Sequence, residues 1–233
     1  MRFAGPTDFD IPGFIAAVEQ VCAQKPAGVS VRGSWDPSLT ESVKKCLALG
    51  VPTTVDGGDL PDSGRLSYIS TGWTAAGEAQ AKRMMEALPN GGKLAMTSII
   101  NANNMREGVA GFTAYIKAHG GGKYEIVANE DDNGDASKAA QVTSALLAAH
   151  PDIAEIAGFD SESGAGNVTA LREGGKKPGD IKVTVMEQTP DFLKPAKEGW
   201  TQGIIVQNRQ LFLYYAIRMH LRLQSQRPDD RRA

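Results

Sequence analysis

The sequence predicts an α/β fold of parallel sheets with helices on both faces. Three observations predict it. Strand-like and helix-like stretches alternate almost from end to end of the 233 residues. The connections are short, of the roughly two to six residues that strand–helix units use. The strand-like runs are brief and rich in Val and Ile, which suits strands buried on both faces, and 26 glycines supply tight turns between them.

Each element follows from local pattern. Residues 11–24 place Phe14, Ile15, Val18 and Val21 or Cys22 at helical spacing, with Pro12 in the first turn and Asp10 as N-cap. Lys25-Pro26-Ala27-Gly28 stops that helix, and Val29-Ser30-Val31 reads as a short strand. Asp36-Pro37 opens a second helix that runs to Leu49 and stops at Gly50. Val51 to Val55 is a buried strand ended by Asp56-Gly57-Gly58-Asp59, and residues 66–69 form another. An Ala-rich helix over 73–88 follows, then a strand over 93–100. A helix over 105–119 is closed by Gly120-Gly121-Gly122, and a strand over 124–128 comes next. Asp135 caps a helix over 136–150. Then come a strand over 153–158, a helix over 163–173 ended by Gly174-Gly175, and a strand over 181–186. A short helix over 190–198, a strand over 203–206 and a helix over 211–223 complete the series.

Composition narrows the function. The chain is 41% hydrophobic and 22% charged with a formal net charge of −2, so it carries no polyanion-attracting field and nucleic acid is not an expected partner. No apolar run approaches the ~20 residues of a membrane span, and the residues after Met1 show no signal peptide pattern. Cys22, Cys46, His119, His150 and His220 fall in no metal-ligand spacing, so neither metal nor cofactor is expected. The helices bearing Cys22 and Cys46 cross consecutive strands and should lie side by side. A disulfide and a pair of buried thiols acting as small hydrophobes both fit that placement.

In an open parallel sheet the ligand lies beyond the carboxyl ends of the strands. Those ends carry Trp35, Asp36, Asp56, Thr71, Trp73, Asn101, Asn103, Asn104, Arg106, Asp131, Asp132, Asn133, Asp160, Ser161, Glu187 and Gln207. Carboxylates and amides suit a polyhydroxylated ligand, and indole faces pack against sugar C–H surfaces. The same residue types also cap the next helix, and Asp36 and Asp135 fit that plainer role. Asp56 is different, because Gly57-Gly58 follows it and no helix starts there. Trp73 fits a ligand platform and core packing equally.

Several ordered stretches resemble the sugar-binding proteins of the ribose-binding-protein family. They are Gly5-Pro6-Thr7-Asp8-Phe9-Asp10, Lys25-Pro26-Ala27-Gly28-Val29, Asp36-Pro37 with Ala48-Leu49-Gly50-Val51-Pro52, Gly111-Phe112, Ala149-His150-Pro151-Asp152-Ile153, Gln188-Thr189-Pro190 and Val206-Gln207-Asn208. The resemblance implies a type I periplasmic binding protein fold: two flavodoxin-like lobes with parallel sheets, residues 1–71 plus 208–233 and residues 72–207. It implies a monosaccharide or polyol held between the lobes by hinge closure. It implies a periplasmic, non-enzymatic monomer that delivers to the membrane permease of an ABC transporter. Ligand-binding positions carry over to Asp56, Asp160, Glu187 and Gln207, with Trp35, Trp73, Asn104 and Arg106 as further candidates. The family's arginine falls on Gly108, and its aromatic in the 131–135 loop is missing, so the sugar differs or is differently held. The family's first strand, first helix and signal peptide should precede Arg2, and its last strand is replaced by a polar tail. The expectation is therefore a chain truncated at both ends with an incomplete N-terminal lobe.

Two other readings compete. The effector core of a lactose-repressor-type regulator shares the fold, but no helix-turn-helix is visible. An enzyme would need an organised site. Ser163-Gly164-Ala165-Gly166 lacks dinucleotide-loop spacing, and no GxSxG elbow occurs.

Overall fold

The computed structural model describes residues 2–7, 10–33, 38–186 and 190–226. In chain order its first elements are α1 (Ile11–Ala23), β1 (Val29–Arg32), α2 (Leu39–Ala48), β2 (Thr53–Asp56), a 3₁₀ turn (Pro61–Ser63) and β3 (Tyr68–Ile69). Then come α3 (Trp73–Ala87), β4 (Gly92–Ser98), α4 (Asn103–His119), β5 (Tyr124–Asp131), α5 (Ala136–Ala149) and β6 (Ile153–Gly158). The last are α6 (Ser161–Glu173), β7 (Lys182–Met186), α7 (Pro190–Lys197), β8 (Gly203–Ile205) and α8 (Gln210–Ser225). The chain divides into two compact units: Met1–Thr71 with Asn208–Ala233, and Gly72–Gln207.

The first unit is built on a parallel sheet of order β1-β2-β3, with Val31 opposite Val55 and Arg32 opposite Asp56. Because successive side chains leave opposite faces of a strand, Val31 and Val55 share one face and Ser30, Arg32, Thr54 and Asp56 the other. The valine face packs with Val18, Cys22, Leu39, Val43 and Cys46 of α1 and α2. α8 covers the polar face, where His220 Nε2 lies 3.3 Å from Thr54 Oγ1. Asp10 caps α1 by accepting from Gly13 N at 3.0 Å. Cys22 and Cys46 form a disulfide with their Cα atoms 5.2 Å apart, which decides between the two readings of the cysteines. Among the described residues β1 pairs only with β2. Beside its other edge lies a cavity of about 510 Å³ lined by Phe14, Val18, Val29, Val31, Ala216 and Ile217, among others.

The second unit carries a five-stranded parallel sheet of order β5-β4-β6-β7-β8. Its inner strands β4, β6 and β7 are buried on both faces. Leu94, Met96, Ala157 and Met186 pack with Trp73, Met84, Phe112 and Phe159 on the α3–α4 side. Ala95, Ile156, Val183 and Val185 pack with Leu146, Val168 and Leu171 on the α5–α6 side. This is the reason those strands read as continuous apolar runs rather than alternating ones.

Some boundaries differ from the sequence expectation. β5 runs on to Asp131 because Asn129, Glu130 and Asp131 stay in register with Met96, Thr97 and Ser98 of β4. As the outermost strand of its sheet, β5 exposes enough surface to carry polar residues to its end. α6 starts at Ser161 because Asp160 caps it. The third strand is shorter than residues 66–69, since Leu66 is 48% exposed and outside the ladder. The expected cap Asp36 lies outside the described residues.

Candidate ligand-binding site

Parallel strands bring their carboxyl ends to one end of each sheet, so the two units are taken in turn. In the first unit Asp56 is the last residue of β2 and is 8% exposed. Register brings β1 alongside: Ser30 Oγ donates to Asp56 Oδ2 at 2.9 Å, and Arg32 Nη1 stands 3.7 Å from Oδ1. Burial pushes this carboxyl up from its ordinary value, while Ser30 and Arg32 pull it down. The chain turns away at Gly57, with a φ of 78°, a left-handed conformation open to glycine at little cost. The Gly57 carbonyl accepts from Ser70 Oγ at 2.7 Å and from Tyr68 Oη at 3.2 Å. The result is an anchored carboxylate at a strand tip with no helix to cap.

In the second unit Asp160 follows β6 and is 5% exposed. Its Oδ1 accepts from Ser163 N at 2.7 Å and caps α6, while its Oδ2 is buried with no hydrogen-bond partner among the described residues. Burial, then the nearby charge of Asp132, pushes its carboxyl up to about 7. The plainer capping role is thus real for one oxygen of Asp160 and leaves the other unassigned.

Asn104 lies in the first turn of α4, buried, and its Oδ1 has no hydrogen-bond partner among the described residues. Arg106 is exposed; it donates to the Asn101 carbonyl at 3.3 Å and to Asn103 Oδ1, which pins it to the segment before α4. Gln207 follows β8 and is 5% exposed. Trp73, at 2% exposure, packs with Met84, Phe112 and Phe159. Its indole belongs to the apolar cluster on the α3–α4 side of the sheet. Trp35 and Glu187 lie outside the described residues. Among the described residues no group of three or more His, Cys, Asp or Glu could hold a metal ion.

Sequence reasoning missed the partners of the two buried acids. Ser30 and Arg32 hold Asp56, and the signal was available: two polar residues at alternating positions of a strand must share a face. Asp132, fully buried, accepts from Gly134 N at 3.0 Å and from Ser163 Oγ. Nothing local announced that Asp132 would meet Ser163 of α6, 31 residues away.

Comparison with known proteins gives the context. The family described as periplasmic binding protein domain matches residues 1–227. The ribose import binding protein RbsB of Salmonella typhimurium is 31% identical over 143 residues, which is 61% of this chain and 47% of that protein. The matched stretch therefore spans about half the length of this curated relative. A sugar-binding protein of a sugar ABC transporter from Bacillus halodurans is 28% identical, with a TM-score of 0.81 over 93% of this chain and 75% of that one. An ABC transporter solute binding protein from Burkholderia graminis, solved with D-arabinose, is 26% identical, with a TM-score of 0.87 over 96% of this chain and 78% of that one. With a match over nearly its whole length, an all-parallel α/β architecture and buried acids at the strand tips, the chain belongs to the periplasmic binding protein domain family.

Proposed function

We propose that this chain is the sugar receptor of an ABC uptake system, taking a monosaccharide or polyol and working in the periplasm beside a membrane permease. The observation that carries the reading is the pair of anchored acids at strand tips, Asp56 in one unit and Asp160 in the other, each buried and each held by side chains or backbone. An anchored carboxyl accepts from a sugar hydroxyl when ionised and can donate to one when it holds a proton, and in either form asks for little rearrangement. Asn104 and Gln207 supply amides that both donate and accept. The similarity to a solute binding protein solved with D-arabinose, and to a ribose import binding protein, supports a pentose-sized ligand.

A thermal-shift screen of pentoses, hexoses and polyols tests this. One or more sugars should raise the apparent stability, by about 2.7 kcal/mol when ligand reaches a hundred times Kd. Asp56→Asn should weaken binding of that sugar at least tenfold by calorimetry, and the recovered sugar should be chemically unchanged. A screen in which no sugar shifts the protein removes the reading.

A further inference from the structure

The carboxyl end of the second sheet holds more hydrogen-bond acceptors than hydrogens. Ser163 Oγ has one hydrogen, yet it lies on Asp132 Oδ2 and also 3.2 Å from the Thr97 carbonyl. A third acceptor, Asp160 Oδ2, is buried with no partner among the described residues. All of this is dry: Asp132 is 0% exposed and Ser163 0% exposed. The Thr97 carbonyl already accepts from Phe159 N at 3.1 Å, so the serine hydrogen is left to Asp132, and Asp160 Oδ2 remains a buried carboxyl oxygen with no donor among the described residues, which a low-dielectric site does not tolerate. Adding a single proton repairs the count. A proton on Asp160 Oδ2 neutralises that oxygen and removes the charge near Asp132, while the serine hydrogen stays on Asp132.

We propose that Asp132 and Asp160 share one proton through Ser163, and that this proton clips the loop after β5 to the start of α6. Asp132 and Ser163 are then positioning residues for Asp160. The surrounding charges favour holding the proton. Asp131 on β5 and Glu162 in the first turn of α6 are both negative. Asp135 spends an oxygen on Lys138 N at the start of α5, and Arg106 at the start of α4 is turned to Asn101 and Asn103. The end of β4 contributes only the Thr97 carbonyl and Ser98. Burial raises both carboxyls, with repulsion from Asp132 and Glu162 adding to it at Asp160 and repulsion from Asp131 and Glu162 adding to it at Asp132. When the proton leaves, two buried anions face each other across one hydroxyl, and the loop and helix start separate.

The clip itself stands apart from any ligand. Its effect on sugar affinity rests on the receptor reading above. Carbon-detected NMR titration of the full chain, labelled at aspartate carboxyl carbons, reads the proton directly. One of the two acids should titrate near neutrality, and Asp132→Asn should return Asp160 towards the ordinary aspartate range. Hydrogen exchange should show residues 129–135 and 160–164 losing protection at least tenfold beyond the intrinsic rate change between pH 6 and 8.5. That loss should be absent in Asp132→Asn. If both acids titrate below pH 5 in the wild-type chain, the shared proton is wrong, whether or not the variant folds. If the proton is present but protection does not change, the clip is wrong. Sugar affinity, measured separately, should fall at least fivefold over the same pH range. Failure of every sugar to bind counts against the receptor reading and leaves the titration to decide the clip.

Discussion

Glu155 sits in the middle of β6 with no solvent exposure. Its Oε1 accepts from Thr184 Oγ1 at 2.6 Å, and its Oε2 has no hydrogen-bond partner among the described residues. Gln80 of α3 donates to the Gly158 carbonyl at 3.0 Å and the Thr184 carbonyl at 3.1 Å, which fixes its amide and leaves its Oε1 without a donor. Burial pushes the Glu155 carboxyl up to about 8, against the pull of Thr184. The native form is therefore the neutral acid. The folded state keeps a proton that the unfolded chain gives up above about 4.5, so this group's contribution is most favourable below that pH and is lost as pH rises towards 8. Glu155→Gln removes the titration while keeping a neutral side chain of the same shape. It should raise the stability of the second unit at pH 8 by on the order of 3 kcal/mol and leave stability at pH 5 nearly unchanged. Denaturant melts at the two pH values check this, and a variant weaker than wild type at pH 8 contradicts it.

At the level of elements, α3 and α4 approach backbone to backbone at two glycines. A Cβ on Gly77 would stand 1.9 Å from the Gly108 carbonyl oxygen, and one on Gly111 would stand 2.2 Å from the Thr74 carbonyl oxygen. Neither backbone can yield without moving a helix. Gly111→Ala should cost about 1–3 kcal/mol in the second unit through this overpacking, despite the helix propensity gained by alanine, as chemical denaturation will show. The element order was readable in the chain because apolar spacing and glycine stops agree along most of it. The chemistry of the strand tips was less readable. Asp160 and Asp135 look alike in sequence, each an acid at the mouth of a helix. Only the fold reveals that Asp160 also faces Asp132, whose position depends on the β4–β5 register.

The two units of the whole molecule differ in how they are held. Among the described residues the first has three strands, and β3 is only two residues long. Its disulfide closes a loop across a sequence separation of 24, which in the chain-entropy account stabilises it by about 3.5 kcal/mol. The second unit has five strands, two apolar layers and no cysteine. Reducing the Cys22–Cys46 bond should therefore lower the hydrogen-exchange protection of β1, β2 and α2 and leave β4, β6 and β7 as they were. Equal loss in both units contradicts this division.

The second unit is one unbroken run, whereas the first is assembled from two runs that flank it. A ribosome therefore finishes residues 72–207 before it makes α8, the helix that covers the Thr54 face of the first sheet. During that interval the first sheet waits with one face bare and only the α1–α2 side closed. The middle run of the chain is the one able to mature first, and the first unit depends on a helix made after it.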